Sequence, residues 1–252
     1  MSATPFGHEM RQCHFNFAPG HRSLNHGSYG ASPKAVLAYQ QHLRLEAEAS
    51  PDMFIRHTNL EYLETSTIAI ADMLGVESTE VVFVPNATTG TNTVLRNLAF
   101  EELDTVIHFN TIFGASVKTL ESLQESIPFQ SLEIAITYPI EDDEILKLFH
   151  SAVADVRAQG RKAKLAMFDT VSTFPGALFP WEMLVQACKT LGIISLIDGA
   201  HGIGHIDLRH LGQIGPDFFI TNCYKYEYLP VNLIVPYLRD VYAYFFSTTT
   251  GG

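Results

Sequence analysis

Short apolar runs alternate along this chain with segments whose apolar positions recur at helical spacing. The runs are Val81–Val84, Val106–Phe109, Leu132–Ile136, Lys164–Phe168, Ile193–Ile197 and Phe218–Ile220, and each reads as a buried strand. Between them the pattern predicts helices over Thr91–Leu98, Ser116–Glu125, Asp142–Ala158 and Trp181–Leu191, the last closed by Gly192. Upstream, Ser32 as N-cap with Pro33 in the first turn predicts a helix to about Ala49. A second helix, from about Asn59, turns Leu60, Leu63, Ile70 and Leu74 toward the core and stops at Gly75. Strands alternating with helices mark an α/β domain with a largely parallel sheet. Ligands in such sheets sit beyond the carboxyl ends of the strands, so the residues just after each run carry the candidate chemistry.

Composition narrows the function classes. The 252 residues are 46% hydrophobic and 17% charged, enough for a real core and low for a disordered chain. A net charge of -11 argues against a nucleic-acid partner, whose phosphates call for excess Lys and Arg. No apolar run is long enough to span a bilayer, so no membrane partner is expected. The start of the chain lacks a basic-then-apolar secretory pattern. Three widely spaced cysteines, Cys13, Cys188 and Cys223, suit a reducing compartment, and a cytoplasmic protein is expected.

Three strand ends stand out. After the first run comes Pro85-Asn86-Ala87-Thr88-Thr89-Gly90-Thr91-Asn92, small and hydroxylated, opening a helix. A helix start of that kind favours a phosphate, and an ordinary polar turn explains it as well. The second is Asp198-Gly199-Ala200-His201-Gly202. A carboxylate so near a buried strand calls for a positive partner, and a protonated pyridine nitrogen is one. Asp198, His201, His205 and Asp207 could instead be metal ligands, though Gly199, Gly202 and Gly204 leave no rigid helical pair. A structural Asp capping a turn is the plain alternative. The third is Thr221-Asn222-Cys223-Tyr224-Lys225-Tyr226, after Phe218–Ile220. A lysine desolvated there favours the neutral amine that a nucleophile needs.

Together, and in this order, these segments resemble the class V aminotransferases. The likeness is greatest to the branch that includes isopenicillin N epimerase, C–S lyases and cysteine desulfurases. Asp198-Gly199-Ala200-His201, the Thr221-Asn222-Cys223-Tyr224-Lys225 run and Leu24-Asn25-His26-Gly27-Ser28-Tyr29-Gly30 carry it, over residues 23–230. The resemblance implies the large domain of a type I fold transferase that binds pyridoxal 5'-phosphate (PLP), and a homodimer. It implies Lys225 as the Schiff-base lysine and catalytic proton carrier, Asp198 on the pyridine nitrogen and His201 near the ring hydroxyl. Ala87, Thr88 and Thr89 would bind phosphate, helped by Thr221 or Asn222. Phe113 would stack on the ring, with core packing as its alternative, and Ser172 would stand near the cofactor. Asn25 and His26 would lie near the substrate mouth. Arg56 fits the family pattern and equally a surface charge.

The reaction implied is chemistry at the α-carbon of a small-molecule amino acid substrate. Transamination leads, epimerisation and C–S cleavage follow, and a desulfurase with a mobile cysteine ranks last because no cysteine follows Lys225. Tyr224 and Tyr226 depart from the His and Trp that relatives carry beside the lysine. Beyond Pro230 the resemblance ends, and Pro236 argues against a central strand there. Residues 1–22 and 231–252 are therefore expected to be tails outside the domain, with the C-terminal small domain missing and turnover weak or absent. An inactive or accessory form of the domain is the alternative reading.

Overall fold

A computed structural model describes residues 4–223 and, for the backbone alone, 242–246. Two short helices, α1 (His8–His14) and α2 (His26–Tyr29), precede α3 (Lys34–Ala49). A helical path then runs from α4 (Pro51–Met53) through a π-helical turn at Phe54–Thr58 into α5 (Asn59–Leu74). After it come β1 (Val81–Val84), α6 (Ala87–Asn97), β2 (Asp104–Phe109), α7 (Gly114–Gln124) and β3 (Gln130–Ile134). The second half continues with α8 (Asp142–Ala158), β4 (Lys162–Asp169), α9 (Trp181–Leu191), β5 (Ile194–Gly199), α10 (Leu211–Ile214), β6 (Phe218–Thr221) and β7 (Tyr242–Phe246).

Each of the six apolar runs is a strand, and α8 and α9 have the bounds that the pattern predicts. Several details differ: Leu60 is exposed rather than turned to the core, β3 ends at Ile134 and α7 begins at Gly114. Pro33, not Ser32, occupies the N-cap of α3, with no side-chain cap bond. Helical structure ahead of α5 begins at Pro51, a residue suited to a first helical turn, rather than at Asn59. And α6 begins at Ala87 instead of Thr91, because the Asn86 side chain caps it by accepting the Thr89 N–H.

The strands form one seven-stranded sheet in the order β1-β7-β6-β5-β4-β2-β3. The pairs from β3 through β6 are parallel, and β7 is antiparallel to both β1 and β6. This corrects the expectation that residues 231–252 lie wholly outside the domain. Tyr242–Phe246 is an aromatic-rich sequence suited to a strand, and its backbone pairs with β1 on one side and β6 on the other. Pro236, the anticipated breaker, lies outside the described residues.

Helices cover both faces of the sheet. One core packs α5, α8 and α9 against Ile107, Phe109, Ala166, Phe168, Ile197 and Phe219. The other packs α6 and α7 against Val106, Leu165, Met167, Leu196, Phe218 and Ile220. Successive residues of each strand therefore serve opposite cores, the period-two signature of a strand buried on both sides. Gly90 lets α6 lie close to the sheet: a β-carbon there would stand 3.3 Å from Ile220 Cγ2. Among the described residues no helix is long and apolar enough to cross a membrane.

Candidate active site

The alternation that builds the two cores also selects the polar groups at the strand ends. On β4 the face that carries Leu165 and Met167 next presents Asp169, and on β5 the face of Leu196 next presents Asp198. Asp169 and Asp198 are register partners. Asn222, just past β6, follows Ile220 on the same face. In parallel βα units the next helix starts at this end, so α6 and α7 begin here too. These elements enclose a cavity of about 270 Å³.

Asp198, His201, Asn222, Ala87, Thr88 and Phe113 all line this cavity, six of the residues singled out in the sequence. Asp198 is only 7% exposed, and one of its oxygens accepts the Ala200 N–H at 2.9 Å. Ala87 and Thr88 form the first turn of α6, where the helix dipole favours an anion. Thr89 belongs to the helix cap: its N–H and its hydroxyl both donate to Asn86 Oδ1, at 2.7 and 2.9 Å, and it does not line the cavity. Phe113 immediately precedes α7 and is 46% exposed, so it forms a wall of the cavity rather than core packing.

Other candidates stand behind the wall. Ser172 is buried, and its hydroxyl oxygen accepts the Ala177 N–H at 3.1 Å while its neighbour Thr173 lines the cavity. The Thr221 hydroxyl donates to the Gly199 carbonyl at 2.7 Å. Asn222 donates to the Ala200 carbonyl at 2.7 Å, while its own buried Oδ1 has no hydrogen-bond partner among the described residues. Asn25 is exposed and accepts from the Ser28 hydroxyl at 2.9 Å. His26 is half-buried, and desolvation lowers its pKa below the ordinary histidine value. Ser28 and Tyr29 of the same motif line the cavity, and Asn25 and His26 do not. Arg56 is exposed, 3.8 Å from Asp52 and away from the cavity. Lys225 lies outside the described residues.

The proposed metal set divides between two places. Asp198 and His201 line the cavity, whereas His205 and Asp207 line a separate depression in which Arg209 pairs with Asp207 at 2.5 Å. Among the described residues no three His, Cys, Asp or Glu side chains gather as a metal site.

Thr173, Ser28, Tyr29, Asn86 and Ala200 also line the cavity; they flank the sequence candidates without a role assigned to them, whereas Asp169, which completes the lining, stood outside every motif. For Asp169 a signal existed. It ends an apolar run with a carboxylate, the same pattern that drew attention to Asp198. Asp169 is 3% exposed, and its buried Oδ2 has no hydrogen-bond partner among the described residues. Burial, reinforced by the charge of Asp198, holds its carboxyl well above the ordinary carboxylate range.

Comparison with known proteins identifies the family. The sequence model of the family "Aminotransferase class-V" matches residues 31–231. The L-cysteine desulfhydrase-like protein lolT1 of Epichloe uncinata is 34% identical over 236 residues, covering 94% of this chain and 52% of the relative. The hercynylcysteine sulfoxide lyase of Schizosaccharomyces pombe is 32% identical over 235 residues, covering 92% and 58%. The chain thus spans little more than half the length of these relatives. Among solved structures, the cystine C–S lyase C-DES, in a variant with glycine covalently linked to its PLP cofactor, superposes with a TM-score of 0.74. That likeness has 14% identity and covers 91% of this chain and 57% of the lyase, and it shows the type I fold. The chain belongs to the aminotransferase class-V family of PLP-dependent enzymes.

Proposed function

We propose that residues 23–230 are the cofactor-binding domain of a PLP-dependent C–S lyase acting on cysteine or a cysteine S-conjugate. The observation that carries this reading is the convergence of Asp198, Asn222, Phe113 and the start of α6 on one cavity, in a chain whose relatives are named for C–S cleavage. From the sequence, transamination stood ahead of C–S cleavage. The relatives' names support C–S cleavage as the first reading here.

The residues present fit the cofactor. A phosphate suits Ala87 and Thr88 at the positive end of α6, and Phe113 offers a ring face at the wall. Asp198 supplies the buried anion that keeps a pyridine nitrogen protonated, and His201 lies on the same wall to meet the ring hydroxyl. PLP bound there supplies an electron sink for the charge that develops at the substrate α-carbon. Lys225 would hold the cofactor and carry the α-proton. Ser28, Tyr29, Asn25 and His26 lie on or beside the entrance and would meet the substrate. The proposed setting is a cytoplasmic homodimer, in keeping with the family and with sparse cysteine.

The test is to load the full chain with PLP, reduce it with borohydride and map the labelled peptide. Label on Lys225 is expected, and label elsewhere or none overturns the assignment. Release of sulfide or thiol with pyruvate and ammonia supports the lyase. Amino transfer to a keto acid without that release supports the transaminase instead.

A further inference from the structure

Asp169 has no part in the reading above, yet it is the more deeply buried of the two acids in the cavity. It faces Asp198 across two hydrogen-bonded strands, whose axes lie roughly 4.8 Å apart. Two buried carboxylates set side by side oppose each other's ionisation, so one of them holds its proton to higher pH. Their hydrogen bonds decide which acid keeps it. Asp198 accepts the Ala200 N–H, a bond that favours the ionised form. The buried Oδ2 of Asp169 has no donor among the described residues to stabilise a charge. Desolvation is also the leading effect on Asp169, followed by the field of Asp198.

We infer that Asp169 and Asp198 form a carboxyl pair sharing one proton, kept on Asp169, so that the pair presents a single negative charge, on Asp198, to the cavity. The inference rests on the cofactor reading for its purpose: one anion matches one protonated ring nitrogen, and a second would overcharge the site. Asp169 is then a positioning residue that acts through Asp198. Among the described residues, the other titratable groups that line the cavity or couple to the pair are His201, in the turn after β5, Tyr29, in α2, and Tyr138, in the loop after β3, whose own hydroxyl feels the charge of Asp169. Lys225, outside the described residues, is the family's cation for this site.

The state of the proton is measurable without cofactor. The full chain, carrying carboxyl-labelled aspartate, is titrated by carbon NMR, with Asp169→Asn to assign the resonance. The Asp169 signal is expected to stay at its carboxylic-acid position at neutral pH, and to titrate at lower pH in Asp198→Asn. The same titration in Lys225→Ala removes the lysine as a source of the effect. Stability gives an independent readout. A carboxyl whose folded pKa is raised contributes stability below its unfolded pKa that is lost as pH rises toward the folded value. Asp169→Asn should therefore unfold at a higher temperature than wild type at neutral pH, the gap closing on acidification toward the ordinary aspartate range. A carboxylate signal for Asp169 at neutral pH, a titration unmoved by Asp198→Asn, or a pH-independent gap overturns the inference. Borohydride labelling judges the cofactor reading separately, so either idea can fail while the other stands.

Discussion

The Thr221 hydroxyl donates to the Gly199 carbonyl at 2.7 Å, joining residues that are also register partners of β6 and β5. One position further on, Asn222 donates to the Ala200 carbonyl at 2.7 Å. These two bonds fasten the segment leading to Lys225 onto the turn that carries Asp198 and His201. Both donors are buried, where a hydrogen bond is strong and its loss is costly.

Replacing Thr221 by Val keeps the side-chain shape but removes the donor. The Gly199 carbonyl keeps the Gly202 N–H and loses one of its two donors, so we expect a destabilisation of about 1 kcal/mol by chemical denaturation. Weaker PLP uptake should accompany it, because the turn that presents Asp198 is then less firmly held. Thr221→Ser should restore both. If Thr221→Val matches wild type in both measurements, the bond is not what fixes the turn.

Asn86 separates capping from ligand binding. Its Oδ1 satisfies the Thr89 N–H at the start of α6, so Asn86→Ala should cost about 1 kcal/mol of stability. Asp is as good a cap as Asn, and Asn86→Asp should hold the helix. Its added negative charge lies on the cavity wall beside Ala87 and Thr88, so it should weaken PLP uptake in an equilibrium titration. Equal uptake by Asn86→Asp and wild type would place the phosphate elsewhere.

Asp198→Asn removes the buried anion and keeps the side-chain shape. The cofactor should still bind, but exchange of the α-proton on any accepted amino acid should fall by several powers of ten, since the ring nitrogen is no longer held protonated. His201→Ala should be much milder, as it touches only the ring hydroxyl in this reading. Proton-exchange NMR with deuterated solvent measures both variants. Similar losses in the two would point to a structural role for Asp198.

How much of this was legible in the sequence depends on which physical signal each element carries. Apolar runs such as Leu165–Phe168 announce strands because burial on both faces leaves no polar position within them. The start of α6 was placed late because Asn86 caps through its side chain, and Ala87-Thr88-Thr89 have no apolar periodicity to mark a helix. The strand at Tyr242–Phe246 was obscured by Pro236 and by the end of the family resemblance. Asp198 was found through its motif. Asp169 shows the same run-then-carboxylate pattern without a motif, and only the register of β4 against β5 reveals that the two acids form a pair.

A buried charge also lies outside the cavity. Asp104, at the start of β2, is 2% exposed, and its Oδ2 accepts from Lys164 Nζ at 2.7 Å and from the Glu101 N–H at 2.8 Å. Burial alone pushes this carboxyl up. The Lys164 hydrogen bond, the Glu101 N–H and the charges of Lys164 and Lys162 outweigh it and hold the pKa below the ordinary value. A folded pKa below the unfolded one contributes stability that is present above the unfolded pKa and lost as pH falls through the folded one. Wild type should therefore weaken on acidification below the ordinary aspartate range. Lys164→Met removes the partner and strands a buried carboxylate, at a cost of about 3–5 kcal/mol for a fully buried pair. The low end applies, because the Lys164 side chain keeps 17% of its exposure. In this variant burial is no longer offset by the lysine, so protonation of Asp104 should relieve the strain and acidification should recover part of the loss. Denaturant midpoints across the acid range test both slopes. Parallel pH profiles for wild type and Lys164→Met would show that the pair contributes nothing to the acid limb.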